Sequence, residues 1–337
     1  MSAQLKPLRD QVMVITGASS GIGLATAKLA ASEGARVLLA ARGEEALSRA
    51  VQEIAVEGGE AAYVVADVCD TNDLVKTAET AVRYFGRIDT WVNNAGVGLF
   101  GLIEQVSEED HRRLFETNFW GLVNGSLVAL QHLREHGGAI INIGSVASDV
   151  SLPNLTMSSA SKHAVKGFTD GLRTELESEG APISVTLVKP ASIDTPFPQH
   201  ARNYMSVEPK LPPPIYSVTE VARSVCHAAA HPQRDIYIGG GGRMMGALRY
   251  YVPRLVDRAS AKMALQQMRS DTPPRRPEGI LQQPSNLGEE HGDMHGRAVH
   301  KVSVYNRAIR NPGLTGGVAL TLGLVAAAAL AHQQQRQ

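Results

Sequence analysis

Seven short apolar runs, separated by stretches long enough for a helix, constrain the first 240 residues of this chain more than any other feature. They are Val12–Thr16, Arg36–Ala41, 62–66, Thr90–Asn93, 139–143, 184–188 and Asp235–Ile238. Most are continuous runs of Val, Ile, Leu and Ala rather than alternations, as expected of strands buried on both faces. Such alternation of strand and helix predicts an α/β fold, a parallel sheet covered by helices on both sides. With 337 residues, 43% apolar and 20% charged, the chain can bury a substantial core. Lys+Arg and Asp+Glu both number 33, so bulk positive charge gives no ground for a nucleic-acid partner. Two cysteines, Cys69 and Cys226, cannot build a disulfide framework or a multi-thiolate metal site, and no zinc-ligand spacing occurs. The amino terminus, MSAQLKPLRD, has no apolar signal-peptide core, and a cytoplasmic location is expected.

The balanced charge conceals two unlike segments. Residues 246–337 hold 12 Lys/Arg against 6 Asp/Glu, whereas residues 1–245 hold 21 against 27. We therefore divide the chain into an α/β domain (1–245), a basic amphipathic helix (246–269), a flexible linker (270–311) and a candidate membrane-spanning helix (312–331). The basic helix places Leu248, Val252, Leu255, Val256, Ala259 and Met263 at helical spacing, with Pro253 in a first turn or at a kink. Its partner is either a membrane surface or its own domain. Pro, Gly, Gln and charged residues dominate the linker, and His291 and His295 within it read as solvated. Residues 314–331 lack charged and amide side chains; as a helix they span about 27 Å at ~1.5 Å per residue, near the ~30 Å of hydrocarbon thickness. Lys301, Arg307 and Arg310 precede that stretch and only Arg336 follows, which keeps the large domain on the cytoplasmic side. Its many Ala and Gly residues leave a packed soluble tail as the alternative.

Directly after the first strand comes Thr16-Gly17-Ala18-Ser19-Ser20-Gly21-Ile22-Gly23, then the helix-like LATAKLAASEG. A glycine turn between strand and helix lets backbone amides and the positive helix end approach a pyrophosphate. The spacing is GxxxGxG rather than GxGxxG. Farther on stand Asn-Asn-Ala-Gly at 93–96, Asn118 in FETNFWG, Ser145 in NIGSVAS and Lys162 in SASKHAV. Together, in this order, they resemble the short-chain dehydrogenase/reductase (SDR) family over roughly residues 8–240.

The resemblance implies a Rossmann-like, doubly wound, seven-stranded parallel sheet and a nicotinamide dinucleotide cofactor. It places Gly17, Ser19, Ser20, Gly21, Ile22 and Gly23 along the pyrophosphate and Asp67 at the adenine ring. Asn94, Ala95 and Gly96 would pass beside the adenosine ribose. An acidic residue at the end of the second strand would repel a 2′-phosphate; Ala41 and Arg42 stand there instead, which favours NADP(H) over NAD(H). Lys189-Pro190-Ala191-Ser192-Ile193-Asp194-Thr195 resembles the family's PGxxxT segment, so Pro190, Ile193 and Thr195 would face the nicotinamide. By the same implication Asn118 maintains a proton relay, Ser145 binds the substrate oxygen, and Lys162 binds the nicotinamide ribose and lowers the pKa of the acid. That acid should lie four residues before the lysine, where the family carries tyrosine, but position 158 is serine. A serine alcohol is far less acidic than a phenol and its side chain is shorter by a ring.

Two functions follow. One is an oxidoreductase moving hydride between NADP(H) and a carbonyl or secondary alcohol, impaired at Ser158; the other is an NADP(H)-binding protein without turnover. Residues 197–216, with Phe197, His200, Tyr204, Met205 and Leu211, read as an apolar lid over a bulky lipophilic carbonyl or alcohol; Tyr204 and Tyr216 are tyrosines that the lid could bring to the site. His163, adjacent to Lys162, should point away from it. The family resemblance also implies homo-oligomerisation.

Overall fold

A computed structural model describes residues 3–261, 267–294 and 296–310. All seven expected strands form one parallel sheet: β1 (Val12–Thr16), β2 (Arg36–Ala41), β3 (Glu60–Val65), β4 (Thr90–Asn93), β5 (Gly138–Ile143), β6 (Ile183–Pro190) and β7 (Asp235–Ile238). Their spatial order is 7-6-5-4-1-2-3, so the order reverses between β1 and β4, the place where open α/β sheets bind ligands. β3 starts two residues before the apolar run, because Glu60 and Ala61 pair with Arg36 and Val37 at the sheet edge.

The continuous apolar runs divide cleanly between two cores, since successive strand residues point to opposite faces. Met13, Ile15, Val37, Leu39, Ile141 and Ile143 pack with α1 (Gly21–Ser32), α2 (Glu44–Val56) and, farther along the chain, the helix 218–230. On the opposite face Val12, Val14, Leu38, Ala40 and Ile140 pack with α3 (Thr71–Phe85) and two helices introduced next. α4 (Glu108–Phe115) leads through a π-helical turn, Glu116–Trp120, into α5 (Gly121–Leu133), and α6 (Thr156–Ser178) follows β5. Between the sheet and this layer lies a buried amide network. Asn93 accepts from Trp91 Nε1 (2.8 Å) and donates to Ser126 Oγ and Asn142 Oδ1 (2.9 Å each), while Asn142 donates to Thr169 Oγ1 (3.0 Å). Pairing every polar group is what makes such a network tolerable in a core.

After β6 come the short α7 (Phe197–His200), then α8 (Val218–Ala230), whose Ser217 N-cap accepts from the Thr219 amide (3.3 Å). α9 (Gly240–Tyr251) and α10 (Pro253–Ala259) replace the single helix expected over 246–269. The break falls at Val252, whose backbone leaves the helical region (φ −134°, ψ 58°), because proline disfavours helical geometry in the residue before it and cannot donate to the preceding turn.

The stretch expected to be a flexible linker instead lies on the domain. Leu281 is fully buried, as is Met268 just before the stretch, and residues 280–292 cross the carboxyl ends of the strands. This strap is held at both ends. Before it, Lys210 donates to Met268 O (2.9 Å), Ser270 to Glu208 O (3.0 Å) and Glu208 to Thr272 O (2.8 Å). After it, Val299 and His300 pair with Ile215 and Tyr216, and α11 (Val304–Arg310) docks beside α8. There Arg310 meets the buried Glu220 (3.2 Å), and Asn306 bridges Tyr237 O (2.6 Å) and the Gly239 amide (2.9 Å). A composition poor in periodic apolar residues gave no sign of this docking, which depends on single anchors and backbone hydrogen bonds. Among the described residues no helix is long and apolar enough to cross a membrane; the stretch 312–331 lies outside them.

Candidate active site

The glycine turn is clamped from the neighbouring strand. Thr16 Oγ1 accepts from the amides of Asn94 and Ala95 (3.1 Å each), and Asn94 Nδ2 donates back to Thr16 O (2.9 Å) and Gly17 O (3.1 Å). Gly17 has φ +65°, and a Cβ there would stand 2.7 Å from Ala95 Cα, so glycine is required by both conformation and space. Ser19 and Ser20 are half-buried; Ser20 caps α1 without a side-chain hydrogen bond. Gly21 opens α1 with φ +51° and its amide donates to Glu289 O (2.9 Å) in the strap. Half-buried Ile22 packs against the core, and Gly23 is buried.

Two arginines and an aspartate occupy the outer end of the cleft. Arg42 Nη2 donates to Ile280 O (2.5 Å), and Nη1 to Leu281 O and Gln282 O (3.3 Å each). Desolvation lowers the pKa of this guanidinium, with Arg113 acting in the same direction. Asp67 Oδ2 receives Arg113 Nη2 (2.5 Å) and Oδ1 receives the Cys69 amide (3.1 Å). Burial alone would raise the Asp67 carboxyl; the Arg113 and Cys69 hydrogen bonds outweigh it and hold the pKa below its ordinary value.

At the inner end, the π turn between α4 and α5 carries Asn118 into the cleft. Its Oδ1 accepts from the Val97 amide (2.8 Å), while Nδ2 donates to Val97 O (3.0 Å) and Ser161 Oγ (3.3 Å). Lys162 Nζ donates to Ile143 O (2.8 Å), and desolvation of the ammonium lowers its pKa to about 8. Asn118 and Lys162 converge above Gly96, where an added Cβ would lie 3.3 Å from Asn118 Oδ1 and 3.8 Å from Lys162 Nζ. Ser145 stands just past β5, half-buried, with Oγ accepting from the Ala147 amide (3.0 Å) and near Pro190 O (3.4 Å). Ile193 and Thr195 are buried beyond β6. Thus Asn118, Ser145, Lys162 and Pro190 gather at the ends of β4, β5 and β6, with Gly96 between them.

Ser158 sits one turn before Lys162 on α6, its Oγ buried with no protein partner. The other candidate donors are engaged elsewhere. Tyr204 is bound to Asp110 Oδ2 (2.7 Å) and Ser107 Oγ (3.2 Å), Tyr216 lies against His300 and Gly239, and His163 is exposed with Nδ1 at Ser159 O (2.8 Å). Residues with no signal in the sequence also belong to the cleft. Arg113 reaches Asp67 across 46 positions, and Asp194 accepts from His291 (2.8 Å) and the Gly292 amide (3.3 Å). Only the three-dimensional path of the chain brings such pairs together.

Comparison with known proteins agrees with this architecture. The short chain dehydrogenase family matches residues 11–205. The chain is 42% identical to the uncharacterized oxidoreductase YxnA of Bacillus subtilis, over 97% of this chain and 92% of that one. A short chain dehydrogenase/reductase from Burkholderia phymatum in complex with NAD superposes with a TM-score of 0.65 and 29% identity, covering 73% of this chain and 94% of that one. An alcohol dehydrogenase from the archaeon Thermococcus sibiricus, complexed with 5-hydroxy-NADP, gives 0.59 and 26%, covering 68% and 94%. The chain belongs to the short-chain dehydrogenase/reductase family of NAD(P)-dependent oxidoreductases.

Proposed function

We propose that this oxidoreductase uses NADP(H) in preference to NAD(H), acts on a carbonyl or secondary alcohol of a lipophilic substrate, and turns over slowly because Ser158 replaces the family's tyrosine. The observation that carries the cofactor reading is Arg42, whose guanidinium collects three acceptor oxygens at the outer end of the cleft. That donor set suits the oxygens of a 2′-phosphate. Gly17, Gly21, Ile22 and Gly23 would hold the pyrophosphate, Asp67 the adenine, and Ile193 and Thr195 the carboxamide. When bound, the nicotinamide supplies or accepts hydride at the substrate carbon. Ser145 donates a hydrogen bond to the substrate oxygen and fixes its position. Lys162, whose pKa desolvation lowers to about 8, holds a proton close to that oxygen, and Asn118 keeps the lysine end of the cleft open beside Gly96. The apolar character of the substrate is supported by the lid, where Met205 and Leu152 pack with Phe100, Leu155 and Met268.

Arg42→Ala is expected to reduce the preference for NADPH over NADH by about tenfold or more, since a charge-assisted hydrogen bond is worth about 1.5–3 kcal/mol. Titration calorimetry with both dinucleotides reads this directly; equal affinities in the parent protein would overturn the preference.

The same proposal gives residues 312–331 a role as a membrane anchor. Its support is their uncharged sequence, together with exposed Met244, Leu248, Tyr250, Tyr251 and Leu255 beside Arg249 and Arg254 on α9 and α10. Ending the chain at 311 is expected to move the protein from the membrane pellet to the supernatant. Finding the full-length protein in the supernatant at low salt would overturn the anchor.

A further inference from the structure

The strap touches the residues assigned to the cofactor at one point after another. Glu289 O takes the Gly21 amide (2.9 Å), and the carbonyls of 280–282 take Arg42. Ser285 O is packed so closely on Gly43 that a Cβ there would lie 2.7 Å from it. Glu290 pairs with Lys28 of α1 (2.5 Å), Asn286 O accepts from Arg49, and His291 with Gly292 holds Asp194, next to Thr195. One side chain anchors the whole: Leu281 is fully buried among Val97, Leu99, Val106 and Leu114.

At Gly21, Arg42, Arg49 and Lys28 the strap offers peptide carbonyls or a carboxylate to amide and cationic donors, the chemistry that phosphate oxygens would use. An amide at the head of a helix has one hydrogen, and a carbonyl at 2.9 Å claims it. The same holds for the Arg42 N–H groups that point at 280–282. A dinucleotide phosphate and the docked strap therefore require the same donors. Docking is also incomplete: the cavity between strap and α7, about 240 Å³, is lined by Gln199, His200, Arg276 and Ile280. Gln199 Oε1 and His200 Nε2 are buried with no protein partner, and desolvation, aided by Arg276, lowers the His200 pKa to about 4. A segment seated this way is held by few side chains and can be exchanged for a ligand.

We propose that residues 280–292 form an intramolecular competitor of the dinucleotide, docking on Gly21 and Arg42 when the cofactor is absent and leaving them when it binds. This rests on the NADP(H) reading of the cleft. The apparent affinity then equals the intrinsic affinity reduced by the fraction of molecules with the strap undocked.

Hydrogen exchange of the full-length protein, with and without saturating NADPH, tests it. Peptides spanning 278–294 are expected to exchange faster with NADPH while the glycine turn, 16–24, becomes protected. Slower exchange in 278–294 with the turn protected would overturn the proposal, because the strap would then be a lid closing over bound cofactor. Lack of protection at 16–24 would overturn the NADP(H) reading itself, which separates the two failures. Leu281→Ala, which removes the anchor from the edge of the fold, is expected to tighten NADPH binding at least threefold in calorimetry. Unchanged or weaker binding counts against competition. The wild-type exchange experiment stands whether or not that variant folds.

Discussion

Ser158→Tyr is expected to raise kcat for NADPH-dependent reduction of lipophilic ketones by about 10²- to 10⁴-fold, the usual contribution of a positioned general acid. Position 158 lies one turn before Lys162 on the same face of α6, with its side chain already turned into the protein. A phenol there would sit beside an ammonium whose charge favours the phenolate, lowering the phenol pKa towards neutrality. Serine offers neither the reach nor the acidity, and Tyr204 and Tyr216 are engaged elsewhere. The assay follows NADPH oxidation by both proteins over one panel of ketones and aldehydes. Equal rates would mean that another group donates the proton and that Ser158 is misassigned. Binding of NADPH without turnover in either protein would favour a cofactor-binding role.

In the Ser158→Tyr protein, Lys162→Met is expected to reduce kcat/KM by about 10²-fold or more, at the lower end of what acid–base machinery contributes, while making the fold more stable at pH 7. The second effect follows from linkage. The folded pKa is about 8 against an ordinary 10.5, so below pH 8 the ammonium is charged in both states and the folded state bears its desolvation. Between about 8 and 10.5 the folded protein has released the proton and the unfolded chain has not, so stability rises with pH across that window. Above it there is no further change. Replacing the ammonium at pH 7 therefore removes a cost of about 1–2 kcal/mol once the lost bond to Ile143 O and partial solvent access are allowed for. At about 2–4 °C per kcal/mol, Tm should rise by several degrees. A fall in Tm, or an unchanged pH dependence of stability between 8 and 10, would show that the lysine is not strained by burial. A residue that weakens the fold it belongs to is a common mark of function.

The sheet was legible because its signal is local and repeated. Met13 and Ile15 on one side and Val12 and Val14 on the other already describe a strand buried twice, and the same parity recurs in β2 and β5. Gly17, Asn118, Ser145 and Lys162 were named through the order of motifs that resembles the family, each motif being a short local string of sequence. What could not be read was long-range. Nothing in TPPRRPEGILQQPSNLGEE distinguishes Leu281, a lone apolar residue, from any other in a solvated loop. Its burial depends on a hollow formed by Val97, Leu99 and Leu114, 167 to 184 positions earlier in the chain. Arg42 stands at the end of β2 in the sequence as in the fold, but its partners, three carbonyls about 240 residues on, had no local trace. The Val252 break shows the reverse case, in which one proline overrides an otherwise continuous helical pattern.

Because the strap is fastened on both sides, between the 208–210 pairing and the β-pairing at 299–300, it cannot diffuse away when it lifts. Closing a loop of this size costs entropy only logarithmically in its length, and a segment so tethered faces its site at an effective concentration in the millimolar range. Free NADPH competes with that fixed value rather than with a second molecule. The response should therefore be the same in dilute and concentrated protein, and should shift whenever either fastening is loosened. Glu220 and Arg310, far from the cleft, then set how dilute the competitor becomes once one end is free.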